Sequence, residues 1–387
     1  MIRKKVCVVT GSRAEYGVIY HILRAIVASP SLEMQLVVTG THLCREYGYT
    51  IDEIRKDGFI VTDTVDIDVG SDDLASIAKS IGLGVIGFAD CFRRLAPDII
   101  LLTGDRYEML AVASAAMALN CPIAHISGGE LTYGVIDEQI RHAITKMSHL
   151  HLVAGPDNAR RVKQMGEEDW RVHVVGGPWV ENEKKLQRLS RQEIDGLLGF
   201  SFRSPSIMVT YHPETSNIPH LSEYLDCVFG ALEQIDADMI FTYPNADAGG
   251  QQIIKRIDQF VKTHDRARSY QSLGRLLYHN VLGHVDLMFG NSSSGMVESQ
   301  YYKLPVINIG DRQKGRTVTA NILSVGYDVK EITDAVRKGL SDEFRKGLAQ
   351  MVNPYQKDNA SEAVVQILET APAKQKLLYK QFVEINS

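Results

Sequence analysis

Three apolar runs of this chain end in one phrase. Val9-Thr10-Gly11-Ser12, Val38-Thr39-Gly40-Thr41 and Leu102-Thr103-Gly104-Asp105 each pass from aliphatic residues into a glycine and then a polar group. In an open parallel sheet the carboxyl ends of the strands line the ligand crevice, so three such exits aim polar groups at one place. A fourth run, Pro122-Ile123-Ala124-His125-Ile126, leads into Ser127-Gly128-Gly129-Glu130, and Asp137-Glu138-Gln139-Ile140-Arg141-His142 then opens a helix. Asp105, Glu130 and Asp137 thereby become candidates for one cleft. Neighbouring carboxylates split their pKa values, so one can hold a proton while another accepts, which is the equipment for removing a carbon-bound proton and expelling a phosphate. The plainer reading makes Asp105 and Asp137 helix caps and Glu130 a solvated loop residue. His125 and His142 are secondary candidates. His149 and His151 lie two apart on one face of a predicted strand and read as ordinary packing.

The second half offers an anion holder. Asn291-Ser292-Ser293-Ser294-Gly295 follows a predicted strand and precedes a helix expected to begin near Met296. Hydroxyls and unsatisfied N–H groups at a helix start suit a diphosphate, and Glu298, expected on the first helical turn, suits the hydroxyls of a ribose. Serines also cap helices with no ligand at all. Gly310-Asp311-Arg312-Gln313-Lys314-Gly315-Arg316 adds cations on a glycine-flanked loop, where arginine forms paired bonds to phosphate and a solvated charged turn is the alternative. His212, between a strand and Pro213, reads as a donor to a leaving phosphate or a proton shuttle, and equally as a satisfied loop histidine. Asn245 leaves another strand as a candidate contact to base or phosphate, while Asp247 reads equally as a helix cap.

Short β-branched runs alternate with stretches of helical period, the pattern of a parallel sheet wrapped by helices. Strands are predicted near residues 5–10, 35–39, 98–103, 122–126, 150–154 and 172–175, then near 206–210, 238–242, 285–289 and 305–308. The helix from Tyr16 to Ala28 sets Val18, Ile19, Ile22, Leu23 and Ile26 on one stripe. Between the two series, Glu181 to Ser204 is charged and helical in period, and the hinge is expected there. The expected organisation is α/β: two doubly wound, Rossmann-like domains facing a central cleft. Residues 1–180 carry the acid/base groups, 181–360 bind the nucleotide, and 361–387 form C-terminal helices that pack back on the first domain, with helix expected over Ala360–Leu368 and Lys374–Glu384.

Composition narrows the function. The 387 residues, 44% hydrophobic and 23% charged, suit two globular cores. A net charge of -5 excludes a general nucleic-acid footprint. Five scattered cysteines with no C-x-x-C pair favour neither a disulfide framework nor a zinc site, and a reducing, cytoplasmic setting is expected. No apolar run in the sequence reads as a membrane span or a signal-peptide core, so no membrane partner is expected. Gly11-Ser12-Arg13-Ala14-Glu15-Tyr16-Gly17 lacks the G-x-G-x-x-G spacing of a nicotinamide loop. Arg13 there is better read as a cation for a phosphate.

Together with Gly104-Asp105-Arg106-Tyr107-Glu108, His125-Ile126-Ser127-Gly128-Gly129-Glu130, Ile140-Arg141-His142 and His212-Pro213-Glu214-Thr215, these segments resemble the hydrolysing UDP-N-acetylglucosamine 2-epimerases of the sialic-acid pathway along nearly the whole chain. The resemblance implies the two-domain fold of GT-B glycosyltransferases. It implies conversion of UDP-N-acetylglucosamine and water to N-acetylmannosamine and UDP, through elimination to a 2-acetamidoglucal and rehydration, with no cofactor. By matching motifs, Asp105 and Asp137 are acid/base groups, His212 steadies the departing UDP, Ser292 and Ser293 hold the diphosphate, Glu298 the ribose, and Arg13 and Arg312 the nucleotide charge, with Arg106 assisting and Gly295 completing the serine motif. Relatives often place a glutamate directly after the His-Ile pair, where this chain has Ser127. Glu130 supplies that charge, or the substrate is the UDP-linked 2,4-diacetamido-trideoxyhexose of the legionaminic-acid branch. A GT-B glycosyltransferase and a nucleotide-sugar sensor without turnover are the other classes. Family members are commonly dimers or tetramers, and the same is expected here.

Overall fold

The computed structural model describes residues 3–69, 73–355 and 359–384; residues 1–2, 70–72, 356–358 and 385–387 of the expected segments lie outside the described residues. The chain divides into two compact units, one formed by Met1–Glu130, Asp137–Lys184 and Tyr355–Ser387, the other by Leu131–Ile136 and Lys185–Pro354.

The first unit carries β1 (Lys4–Thr10), β2 (Leu32–Thr39), β3 (Val61–Val65), β4 (Ile99–Thr103), β5 (Ile123–Ile126), β6 (Leu150–Val153) and β7 (Val172–Val174), all parallel, in the order β3-β2-β1-β4-β5-β6-β7. Helices cover both faces of such a sheet, so successive residues on a central strand must all be apolar; Val6, Cys7, Val8 and Val9 are all buried. Val8 lies between Leu36 and Leu101. The order reverses between β1 and β4, which sets the crevice of this unit at the exits Gly11 and Gly104-Asp105.

Helix Arg13–Ala28 begins at Ser12, whose hydroxyl accepts from the Glu15 N–H while the Glu15 carboxylate reaches back to the cap, and its stripe of Tyr16, Ile19, Ile22, Leu23 and Ile26 is buried. Helix Ala360–Thr370 packs beside it, placing Val364 and Leu368 in the same core. Lys4 Nζ donates to the carbonyls of Leu368 and Ala371 at 2.7 and 3.0 Å, a cation at a helix carboxyl end. Helix was expected to run through Glu384 but stops at Leu378. Tertiary partners outcompete it. Arg171, fully buried, donates to the carbonyls of Leu377 and Tyr379, and Lys380 pairs with the buried Glu167.

Helix Leu74–Leu95 corrects the expectation about apolar runs: by length and composition alone it is able to cross a membrane. Gly, Ala and Ser dilute its aliphatic residues along the sequence and hide that length. A Cβ on Gly84 would lie 2.7 Å from Ala111 Cβ, and one on Gly87 would lie 2.6 Å from Val65 Cγ1, so the two glycines admit close docking on helix Tyr107–Ala118 and on β3. Its other face leaves Leu83 46% and Ile86 66% exposed.

The second unit has six parallel strands, β8 (Ser206–Thr210), β9 (Asp238–Thr242), β10 (Ala267–Tyr270), β11 (Leu287–Gly290), β12 (Val306–Ile309) and β13 (Ile322–Val325), in the order β10-β9-β8-β11-β12-β13. Its core joins Val209, Phe241, Phe289 and Ile307 to the stripes Ile253, Ile257, Phe260 and Ile332, Val336 of helices Gly250–Thr263 and Val329–Leu340. The order reverses between β8 and β11, at the exits that carry His212 and Asn291. The three strands not expected from the sequence, β3, β10 and β13, are all edges. An edge strand pairs on one side only and tolerates polar residues, so Val61-Thr62-Asp63-Thr64-Val65 lacks the aliphatic run that marks a central strand.

Candidate active site

In the first unit the proton-handling residues gather around Arg141, which is 1% exposed. Its Nε donates to Asp105 Oδ2 at 2.8 Å and an Nη donates to the same oxygen, while the other Nη donates to the Glu130 carbonyl at 2.9 Å and to Glu138 Oε2 at 2.7 Å. Burial opposes the guanidinium charge, yet Asp105, Glu130 and Glu138 raise its pKa above the ordinary value. Asp137 and Glu138 form the first turn of helix Asp137–Met147, where the dipole favours carboxylates, and Arg141 follows Asp137 by one helical turn. Asp105 and Asp137 are half-buried and Glu130 is buried.

The loops that aim these groups are tightly built. Gly104 adopts φ +81°, and its carbonyl accepts from His125 Nε2 at 2.8 Å. Burial pushes the His125 pKa down to about 4, so the ring is neutral and its Nε2–H holds the Asp105 turn. Ser127 sits in the left-handed region at φ +69°, and a Cβ on Gly129 would overlap the Asn158 carbonyl. His142 hydrogen-bonds Glu138 at 3.0 Å. His149 accepts from the Ile123 N–H and His151 bonds Glu167, so both are engaged in packing.

A second acidic group went unassigned in the sequence although both its carboxylates lie in the quoted motifs. Glu15 Oε2 accepts from the Gly11 and Ser12 N–H groups at 2.8 and 3.1 Å, and the fully buried Glu108 accepts from Arg106 Nε and Nη at 3.3 and 3.1 Å. Burial first, then the Glu108 charge, pushes the Glu15 carboxyl up to about 8, with Arg106 pulling the other way. These carboxylates explain two of the repeated exits. A Cβ on Gly40 would stand 3.1 Å from Glu108 Oε1, and one on Gly11 would stand 3.3 Å from Glu15 Oε2. The legible signal was Ser12-x-x-Glu15, the spacing of a capping box. Arg106 is buried as the counter-ion of Glu108. Arg13 is half-buried at the start of its helix, and its charge, after burial, helps push the His42 pKa down to about 3.

In the second unit β8 and β11 exits are laced together. Asn291 Oδ1 accepts from the His212 N–H at 2.7 Å and its Nδ2 donates to the His212 carbonyl at 2.8 Å. The Asn245 N–H donates to His212 Nδ1 at 3.4 Å, which places the ring hydrogen on Nε2. Arg312 Nη1 and Gln313 Nε2 both donate to the Asn291 carbonyl, at 3.1 and 2.9 Å. Arg312 is 9% exposed, and its Nε is buried with no hydrogen-bond partner among the described residues, an arrangement that suits an anion. Lys314 is exposed and pairs with Asp311 at 3.4 Å.

The serine segment differs from expectation in register. The helix spans Ser293–Val297, starting three residues before Met296, and Ser292 is its N-cap, accepting from the Ser294 N–H at 3.3 Å. Five residues make a weak dipole, so its first-turn N–H groups are what it offers an anion. Ser293 is exposed, and Gly295 is packed so closely that a Cβ would lie 3.0 Å from Val306 Cγ1. Glu298 is not on the first turn; it closes this helix, begins the next at Ser299, and lies 4.0 Å from His279 Nε2. Asp247 is not the N-cap of helix Gly250–Thr263 either, since Gly249 at φ +86° holds that position.

Residues 131–136 belong to this unit although Glu130 and Asp137, on either side, belong to the first. Ser216 Oγ donates to the Gly134 carbonyl at 2.6 Å, the Tyr133 N–H donates to the Lys314 carbonyl at 2.9 Å, and a Cβ on Gly134 would meet Arg312 Cα at 2.8 Å.

Residues 24–369 match the family model described as UDP-N-acetylglucosamine 2-epimerase. The chain is 36% identical over 348 residues to the GDP/UDP-N,N'-diacetylbacillosamine 2-epimerase (hydrolyzing) of Campylobacter jejuni, covering 89% of this chain and 90% of that one. It is 34% identical over 384 residues to the polysialic acid biosynthesis protein P7 of Escherichia coli, covering 99% and 98%. The crystal structure of Methanocaldococcus jannaschii UDP-GlcNAc 2-epimerase in complex with UDP-GlcNAc and UDP superposes with a TM-score of 0.77 at 18% identity, covering 94% and 99%.

Proposed function

The chain belongs to the UDP-N-acetylglucosamine 2-epimerase family, and we propose that it is a hydrolysing, UDP-releasing 2-epimerase of a UDP-linked 2-acetamido sugar. The observation that carries this reading is the set around Arg141, where Asp105, the Glu130 loop and the first turn bearing Asp137 are gathered by one buried cation. Proton transfer at carbon 2 calls for such a set, whereas glycosyl transfer needs one acceptor base.

In the reaction a carboxylate of the Asp105/Asp137 pair, with Glu130 beside them, takes the hydrogen from carbon 2. The bond from carbon 1 to the phosphate oxygen breaks, and His212 Nε2–H donates to the departing diphosphate. Ser292, Ser293 and Arg312 hold that diphosphate, Arg13 adds charge, Asn245 steadies the His212 ring and Glu298 meets the ribose. Arg106, paired with Glu108, assists with the nucleotide charge. Water then adds its oxygen to carbon 1 of the glucal and a proton returns to carbon 2 from the opposite face, giving the 2-epimer and UDP. No cofactor takes part.

Two sugars fit this chemistry. The Campylobacter relative favours a 4-acetamido sugar, UDP-N,N'-diacetylbacillosamine, and Ser127 in place of a family glutamate accords with that branch. The polysialic acid relative supports UDP-N-acetylglucosamine, with N-acetylmannosamine as product on the route to sialic acid. Incubation with each substrate in deuterated water, followed by NMR, decides between them. The reading requires free 2-epimer carrying deuterium at carbon 2; both substrates remaining intact would defeat it. We further propose cytoplasmic function as a homodimer or homotetramer, with the exposed face of helix Leu74–Leu95 as the contact between copies.

A further inference from the structure

The exit of β8 carries an acidic residue two positions beyond His212. Glu214 is 5% exposed. Its Oε1 accepts from the Asp311 N–H at 2.8 Å and from the Tyr327 hydroxyl at 2.6 Å. Tyr327 in turn shares a hydrogen bond with the Tyr211 hydroxyl at 2.9 Å and stacks on Tyr224 with centroids 3.7 Å apart and rings 3° from parallel. Gly310 has φ +75°, and any Cβ there would overlap Glu214 Oε1 and the Tyr327 hydroxyl. The turn at Gly310-Asp311 is therefore held by one carboxylate oxygen, and Arg312 is the next residue. Its guanidinium returns to the Asn291 carbonyl, while the Asn291 side chain holds the backbone of His212. This closes a circuit from His212 through Pro213 and Glu214 to the turn, then through Arg312 and Asn291 back to His212.

We infer that Glu214 is a positioning residue: through the Asp311 N–H and the Tyr327 hydroxyl it holds the Gly310 turn so that Arg312 and His212 present their N–H groups to the same diphosphate. This rests on the proposed reading of the second unit as the UDP holder. Glu214 does not touch the nucleotide; it acts through the loop. A hydrogen bond to a charged acceptor that orders a binding loop corresponds to roughly a tenfold change in an equilibrium constant.

Isothermal titration of UDP into the full-length protein tests this, with the thermal midpoint recorded for every variant. Glu214→Ala should weaken UDP binding and raise the KM for the UDP-sugar about tenfold, with kcat within about threefold. Glu214→Gln keeps an oxygen for both donors and should recover UDP affinity to within about threefold of the unaltered protein. Tyr327→Phe, which removes one of the two donors, should fall between them. Glu214→Ala binding UDP within twofold of the unaltered protein overturns the inference, as does Glu214→Gln as weak as Glu214→Ala. Should Glu214→Ala fail to fold, Tyr327→Phe and Glu214→Gln carry the test, and unchanged UDP binding by Tyr327→Phe then overturns it. An unaltered protein that binds no UDP removes the nucleotide reading itself and this inference with it. Normal UDP binding with unaltered variants removes the inference alone.

Discussion

Replacing Glu15 by glutamine isolates the energetic consequence of a buried carboxyl. The fold holds this group protonated up to about pH 8, against an ordinary value of 4.5, because it is buried beside Glu108. The unfolded chain releases the proton near pH 4.5 while the folded chain keeps it. Over that window the folded state binds more protons than the unfolded one, so stability is lost as pH rises. The slope approaches about 1.4 kcal/mol per pH unit, and from pH 5 to pH 8 the loss from the coupled Glu15–Glu108 pair amounts to about 4 kcal/mol, reaching its limit once the shared proton leaves the fold as well. Glutamine has no such titration, and its side-chain oxygen can accept from the Gly11 and Ser12 N–H groups in place of Oε2. Urea unfolding of both proteins at pH 5, 6, 7 and 8, followed by circular dichroism, measures the difference. Glu15→Gln should be close to the unaltered protein at pH 5 and gain about 4 kcal/mol on it by pH 8. Parallel curves would refute the argument, and a relative loss of the variant at high pH would reverse its sign.

Other outcomes follow from the same geometry. Arg141→Met leaves Asp105 and Glu138 without their buried cation, and should destabilise the protein by about 3–5 kcal/mol in urea unfolding while lowering kcat at least about a hundredfold. Asp137→Asn should suppress turnover with UDP affinity within about twofold by titration, since the proposed role of this residue is proton transfer and not nucleotide holding. Ile86→Glu, on the exposed face of helix Leu74–Leu95, should shift sedimentation toward a single copy if that face joins copies; an unchanged oligomer would place the contact elsewhere.

The central strands and their exits were legible because burial on both faces forces an unbroken aliphatic run, and a glycine with a polar residue marks where it ends. Val6 to Val9 and Leu102-Thr103-Gly104-Asp105 show both features. Three of the four edge strands were not legible, since half-solvated strands such as Val61–Val65 carry threonine and aspartate where a central strand carries valine. The early helix start at Ser293 was missed because serine is a modest helix former, and here the close fit of Gly295 on Val306 overrides that propensity. Beyond Leu378 local helical period lost to Arg171 and Lys380, whose partners are more than two hundred residues away in sequence.

The candidate carboxylates Asp105, Glu130 and Asp137 were readable as residue types at strand and helix ends, because chain direction alone sends such ends to one edge of a parallel sheet. Their cation was not. Arg141 stood in the sequence as one more charge on an amphipathic helix, and only folding brought its guanidinium to Asp105, thirty-six positions earlier, and away from water. The same holds for Glu15, whose capping role follows from three-residue spacing but whose proton is kept by burial and then by the Glu108 charge. Local spacing specifies hydrogen bonds within a turn or two. Desolvation and charge–charge energies depend on which distant residues share a dry volume, and those are properties of the assembled fold.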